Sequence, residues 1–589
     1  MTKFDTLVVC ALLGAMLAPF AQCGAARAAN SPRTAARVSD EEGLKDFAPG
    51  AFKGYPLIVQ LKDATFLAYV DGAWEGKPAV MCYASKDGGK TWSGPDPVLE
   101  GFFGLGEVLV DRGDEVHLFF LNNPRSRAFE VAGGEESRPL VGQLTNARID
   151  IWHTRSSNGR KNWQTPRMIW MGYTGALNSV IQLKSGRILL PFSFMTDRAW
   201  GKRGGGFKEF TFVGQFDSTV IYSDDNGDTW HAANNLSVQS PDIVSAYGAV
   251  EPVCLELDDR VWMLMRTQMG RFYESFSKDG AVWSRPKPSK ITSSDSPAGL
   301  VRLSDGRIVL LWNNCQRYPY AYGGRQVLHA AISSDGGRTW RGYREVARDR
   351  LRNQPPPPAG DHGAAYPFPI ATKDDKVLFR TGQGQGRVEI KMLDPAYLYQ
   401  TFQRTDWSKK LDDWSVFGTK GVGLASDEAS GPVLSAVEGQ ALSVQRVDDE
   451  FPAAAVWNFP MGRSGTLKLK LMVKSGCRGL NIGLTDHFSP PFDAEESFYN
   501  LFDLRVEPGG KLSSGGRIAC DKWQMVRLEW DTEKGVCAAT VDGKRAGSLK
   551  IQRAAEGACY LRLTAVSDDP EPAGFLLGSA EVDISRSFR

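Results

Sequence analysis

Five stretches of the chain repeat one eight-residue phrase, Ser-x-Asp-x-Gly-x-Thr-Trp, and such wide repetition means a repeated supersecondary unit. The copies run from Ser85 to Trp92, Ser156 to Trp163, Ser223 to Trp230, Ser277 to Trp283 and Ser333 to Trp340. The second carries Asn158 for Asp and Asn162 for Thr, and the fourth is one residue short. Asp and Gly make a tight turn whose side chain accepts backbone N–H bonds, and Trp plugs the turn as a hydrophobic plate. The phrase marks a fold and implies no chemistry.

Between the copies lie six apolar hairpins: Tyr55–Val70, Gly104–Leu121, Ala176–Phe194, Ala249–Thr267, Gly299–Asn314 and Ala365–Thr381. Each is an apolar strand, a polar turn such as Lys62-Asp63 or Asp305-Gly306, and a second apolar strand. Apolar runs of this length around turns predict strands buried on both faces. A phrase copy follows each of the first five hairpins. The series predicts an all-β chain that begins with a six-bladed β-propeller, each hairpin supplying the inner strands of one blade.

At 589 residues the chain exceeds what one core supports, so more than one domain is expected. Propeller periodicity stops near Tyr399–Trp407, and short alternating strands follow, among them Thr466–Val473, Trp523–Trp530 and Cys559–Ala565. Residues 47–402 are assigned to the propeller and residues 403–589 to a jelly-roll β-sandwich, which packs on the propeller or binds glycan. The proline run Pro355–Pro358 is read as a stiff loop entering the sixth hairpin. Residues 1–29 have the basic start, apolar run and Ala-x-Ala ending of a secretory signal peptide, with residues 30–46 as a linker. The expected location is secreted or periplasmic, with no membrane insertion after cleavage.

A formal net charge of +2 argues against nucleic acid and leaves small or glycan ligands open. Nine cysteines occur, two of them in the leader; export permits bridges among the last four, and no metal-ligand spacing is present.

Inner strands of a propeller end around a central channel, so side chains at hairpin entries and exits converge from different blades. Hairpin four enters with Gly248-Ala249-Val250-Glu251-Pro252 and leaves with Met265-Arg266-Thr267. Hairpin six enters with Ala365-Tyr366-Pro367 and leaves with Phe379-Arg380-Thr381, and Arg325 stands just before the fifth phrase. A Glu, a Tyr and several Arg exceed what packing needs. Asn178 and Asn313-Asn314, also at hairpin ends, are candidates for binding hydroxyl groups, whereas His362 and His153 are read as loop and packing histidines.

The phrase and hairpins together resemble the Asp-box propeller of the sialidases, over roughly residues 47 to 400. The resemblance implies an exo-glycosidase in which a tyrosine, Tyr366, attacks the anomeric carbon and Glu251 takes its proton. It assigns Arg266 and Arg325 to the substrate carboxylate, which guanidinium forks bind bidentately. The family's first arginine is absent, with Gly54 in its place. Arg380, or the point charge of Lys53, is the candidate substitute, and Asp71 in the following loop is the candidate acid/base. The expected partner is a glycan ending in sialic acid or another acidic sugar, and no cofactor is implied. Two alternatives stay open: a glycosidase for a non-sialic sugar, and a glycan-binding protein without catalysis.

Overall fold

The computed structural model describes residues 43–122 (except 103), 149–202 (except 173), 210–238, 248–316, 324–354, 363–383, 388–416, 421–426, 440–446, 452–566 and 570–586. The leader assigned to residues 1–29, the proline run 355–358 and His362 lie outside the described residues.

Six four-stranded antiparallel sheets follow one another, as the repeat predicts. The inner pair of each sheet is one of the six hairpins, for example Leu57–Gln60 with Phe66–Trp74 and Val250–Glu256 with Val261–Arg266. Leu57–Val59, Val108–Val110, Val180-Ile181, Leu255, Leu300-Val301 and Phe368–Ala371 line one cavity of about 300 Å³. All six innermost strands therefore face a common axis, and the fold is a six-bladed propeller. Leu44–Asp46, read above as linker, is instead the outer strand of the sixth sheet, pairing antiparallel with Glu389–Leu393. It ties the start of the propeller to its last blade, a pairing more than 340 residues apart that no local pattern reveals.

The repeated phrase performs the same local task in each complete copy. The carboxylate of Asp335 accepts bonds from the amides of Arg338 and Thr339 and from the Thr339 and Ser333 hydroxyls, at 2.6–3.0 Å. Asp87 and Asp225 do likewise in theirs. These bonds hold the Asp87 carboxyl well below the usual carboxylate range. Trp340 donates its indole N–H to Gly337 O at 3.1 Å and lies against Trp262 of the preceding blade, ring centroids 6.4 Å apart. Replacing Asp335 by Ala strands two amides and two hydroxyls and is expected to cost about 1–3 kcal/mol. Urea unfolding should show that loss, with activity per folded molecule unchanged.

Beyond the sixth blade two further sheets share one core. The larger contains Gln440–Arg446, Glu571–Arg586, Ser464–Val473, Gln524–Asp531 and Val536–Val541 among its eight strands. The smaller contains Trp414–Val416, Ala454–Gly462, Ala558–Ala565, Leu480–Thr485 and Phe502–Val506. The alternating burial of Ser464–Val473 reflects one face on the core and one outside. Trp407, Trp414 and Trp457 stack in series in that core, at 6.0 and 5.9 Å between centroids.

The two-sheet unit packs on blade five through buried polar groups. Tyr560 donates to Glu345 at 2.7 Å and meets His329 Nε2 at 2.5 Å, while Asn458 accepts from Glu345 N and donates to Tyr343 O, both at 3.0 Å. Burial pushes the His329 imidazole down to about 4, so it stays neutral and pairs by hydrogen bonding alone. The seven described cysteines, six of them buried, form no disulfide with one another, so the bridges that export would permit are absent among the described residues.

Candidate functional site

The site is built where inner strands begin. Val250 pairs with Arg266 across hairpin four, and the ladder slips between Val250 and Val253. That irregularity turns Glu251 toward Arg266, with Glu251 at φ 48°. Tyr366, at the matching entry of hairpin six, has φ 57°. Left-handed backbone at residues other than glycine is costly and gathers at functional sites, and here it occurs at both residues singled out as base and nucleophile. Surrounding bonds hold both segments: Glu251 N donates to Ser193 Oγ at 3.2 Å, and Ala365 O accepts from Gly382 N and Thr381 Oγ1 at 2.9 and 2.8 Å. Gly248, at φ 91°, lets the chain pass Phe216 O, which a Cβ there would meet at 2.3 Å.

Four of the six sequence-assigned residues come together. The Tyr366 hydroxyl donates to Glu251 Oε1 at 2.9 Å. Arg266 Nη1 donates to Glu251 Oε2 at 2.5 Å and to the Tyr366 oxygen at 3.0 Å. Arg325 lies over the Tyr366 ring, its guanidinium carbon 5.5 Å from the centroid. Burial and the Glu251 carboxylate push the Tyr366 phenol up to about 12, opposed by the two arginines. The phenol is thus neutral at rest, with a carboxylate in place to take its proton and cationic groups in place to stabilise the oxygen as charge develops.

Asp295 was not anticipated. Its Oδ1 accepts from Arg266 Nε at 2.6 Å, its Oδ2 from Gln268 at 3.1 Å, and its backbone carbonyl from Arg325 Nη2 at 2.5 Å. One buried residue therefore aims both arginines. It stands four positions before Gly299, at the entry of hairpin five, so the rule that found Glu251 and Tyr366 also points to it.

The other two assigned residues do not join this cluster. Asp71 accepts from the amides of Gly104 and Leu105 at 3.0 and 3.1 Å, tying blade one to blade two. The residue is exposed in surface, yet the protein around its carboxyl raises its pKa by desolvation, against the pull of those two amides. Arg380 is buried and stacks over Phe368 at 4.0 Å and Tyr55 at 5.7 Å. Lys53 is exposed. His153 is buried and stacked on Phe119 and His117, as a packing residue is.

Asp111, Glu115 and His117 bring ligand atoms within 4.8 Å of one another at the turn of hairpin two, opposite the strand entries. They are already partnered by neighbours: His117 faces Asp111 at 3.6 Å and His153 at 2.9 Å, and Glu115 accepts from Asn226 at 2.7 Å.

The family described as BNR repeat-like domain matches residues 63–378, more than half of the chain. The chain belongs to that family. Among solved structures, this BNR repeat-like chain is similar to the Trypanosoma rangeli sialidase, at 14% identity over 93% of this chain and 95% of that one, with a TM-score of 0.36. It is similar also to a protein of unknown function from Dyadobacter fermentans, at 17% identity over 59% and 98% of the two chains and a TM-score of 0.39. A third is the Hadza microbial sialidase Hz136, at 17% identity over 58% and 65%, TM-score 0.39. No curated protein matches the chain. Likeness at these levels adds nothing to the reading of the pocket, which rests on its own residues.

Proposed function

We propose that the protein is a sialidase-like exo-glycoside hydrolase that removes terminal acidic sugars from glycans outside the cytoplasm. The observation that carries this reading is the contact of one phenol with one carboxylate and one guanidinium, Tyr366 with Glu251 and Arg266. A sugar bearing a carboxylate on its anomeric carbon repels a carboxylate nucleophile and admits a phenol, which Glu251 deprotonates as the Tyr366 oxygen bonds to that carbon. The resemblance gives the acid/base role to Asp71, which stands outside the Tyr366 cluster but whose carboxyl pKa is raised by burial. It gives its proton to the departing glycosidic oxygen and later takes one from the water that releases the sugar, so configuration is retained. Arg266 and Arg325, aimed by Asp295, hold the substrate carboxylate.

Gly54, where the resemblance calls for an arginine, favours a second reading: an acidic sugar other than sialic acid, held by two guanidinium groups. A panel of chromogenic α-sialosides, uronides and neutral glycosides tests both. Turnover of a sugar acid well above β-galactoside is the expected result; cleavage of neutral glycosides alone, or of none, removes the proposal.

A further inference from the structure

Three buried polar side chains that the mechanism leaves unused stand at the channel mouth. Glu107 is two residues beyond Leu105, and 8% of its surface is exposed. Among the described residues its one hydrogen bond is from the amide of Val108, its own neighbour, at 3.1 Å. Asn178, at the entry of hairpin three, is 4% exposed, and among the described residues neither its amide nitrogen nor its carbonyl oxygen is bonded. Arg380, at the exit of hairpin six, is 7% exposed; among the described residues its Nε has no partner, and its Nη1 reaches Gly382 O only at 3.5 Å. Glu107, Asn178 and Phe368 line the same cavity of about 300 Å³, and the Arg380 guanidinium lies on the Phe368 ring.

Buried polar groups are nearly always satisfied, and each exception calls for a cause. Here two such exceptions, Asn178 of blade three and the Arg380 Nε of blade six, meet Glu107 of blade two, whose carboxyl holds only its neighbour's amide. Phe368 is two residues from Tyr366, and Gly382, beside Arg380, is bonded to Ala365. We infer that Glu107, Asn178 and Arg380 form a subsite that binds the hydroxyl groups of the sugar held at Tyr366. This rests on the proposed glycosidase reading and assigns the end of the pocket away from the carboxylate clamp. A sugar hydroxyl both donates and accepts, which suits an amide with both ends open beside a carboxyl and a guanidinium.

The charge state fits an acidic substrate. Burial pushes the Glu107 carboxyl up to about 8, against the pull of Arg380, whose own guanidinium burial lowers to about 10. At neutral pH Glu107 is uncharged, so it donates to a hydroxyl without repelling a sugar acid. Among the described residues, titratable groups near this mouth include Tyr55, stacked by Arg380, Asp71, bonded to Gly104 and Leu105 ahead of Glu107, and Tyr366, two residues before Phe368.

The test is a ligand-observed NMR titration of the full chain with N-acetylneuraminic acid, D-glucuronic acid, D-galactose and acetate. The variants are Glu107→Gln, Asn178→Ala and Arg380→Met, each in the Tyr366→Phe background so that nothing is turned over, and thermal melts check folding. Acetate reports the carboxylate clamp alone. The expected result is about a tenfold weaker affinity for the bound sugar acid in each variant, with acetate unchanged. Affinity of the unsubstituted pocket should also fall as pH rises past about 8, and Glu107→Gln should remove that fall. Unaltered sugar affinity in all three variants overturns the inference and leaves the groups to buried water. Equal weakening of acetate overturns it too, because it shows a general disturbance of the pocket. Binding of none of the four probes also overturns it. If galactose alone binds and needs Glu107, the subsite stands and the acidic-sugar reading falls.

Discussion

Tyr366→Phe should cut turnover by about 10³-fold or more while leaving sugar binding nearly intact, because it removes one oxygen and almost no volume. That oxygen is the atom Glu251 and Arg266 both contact, at 2.9 and 3.0 Å, and Phe leaves the attacking position without a nucleophile. Glu251→Gln should lower kcat by about 10²–10⁴, the range of a lost general base, since an amide cannot take the phenol proton. The raised Tyr366 pKa, about 12, makes the base indispensable: at neutral pH the phenol has essentially no ionised fraction of its own. Single-turnover kinetics on the best glycoside of the panel measure both changes. A Tyr366→Phe enzyme with wild-type kcat would end the nucleophile assignment whatever the substrate.

The propeller was readable because its determinants are local. Ser333, Asp335, Gly337, Thr339 and Trp340 satisfy one another within eight residues, and the hairpins need only their own apolar strands and turns. Glu251, Arg266, Arg325 and Tyr366 were readable one step further on, since strand entries and exits must converge once the blades close. What escaped depends on who pairs with whom. Leu44–Asp46 looks like linker until Glu389–Leu393 is beside it. Glu107 sits in an otherwise apolar strand, Leu105–Val110, where a single acid resembles a surface position until the opposite blades bury it. For Asp71 and Arg380 the sequence offers a place but not the contacts that hold them, which are the amides of Gly104 and Leu105 and the rings of Phe368 and Tyr55.

Asp295 shows the same point with energy attached, and its removal should be the most damaging single change to the pocket's architecture. Asp295→Ala is expected to destabilise the protein by about 3–5 kcal/mol, the cost of removing one partner from a buried ion pair. Its side chain is fully buried, as is nearly all of the Arg266 guanidinium it holds. Without it Arg266 keeps Glu251 and loses the bond to Nε that fixes the plane of its fork, so a substrate carboxylate meets a misdirected donor. Activity should therefore fall through KM more than through kcat, because Tyr366 and Glu251 keep their mutual bond. Asp295→Asn separates charge from geometry: the amide oxygen still accepts from Arg266 Nε, and the backbone carbonyl that meets Arg325 is untouched. Asn should restore much of the KM while recovering only part of the stability, since the arginine remains short of one negative charge. Urea unfolding read beside Michaelis–Menten kinetics distinguishes these outcomes. Equal stability of the Ala and Asp proteins would show that Arg266 needs no second carboxylate, and the clamp would then be aimed by Glu251 alone.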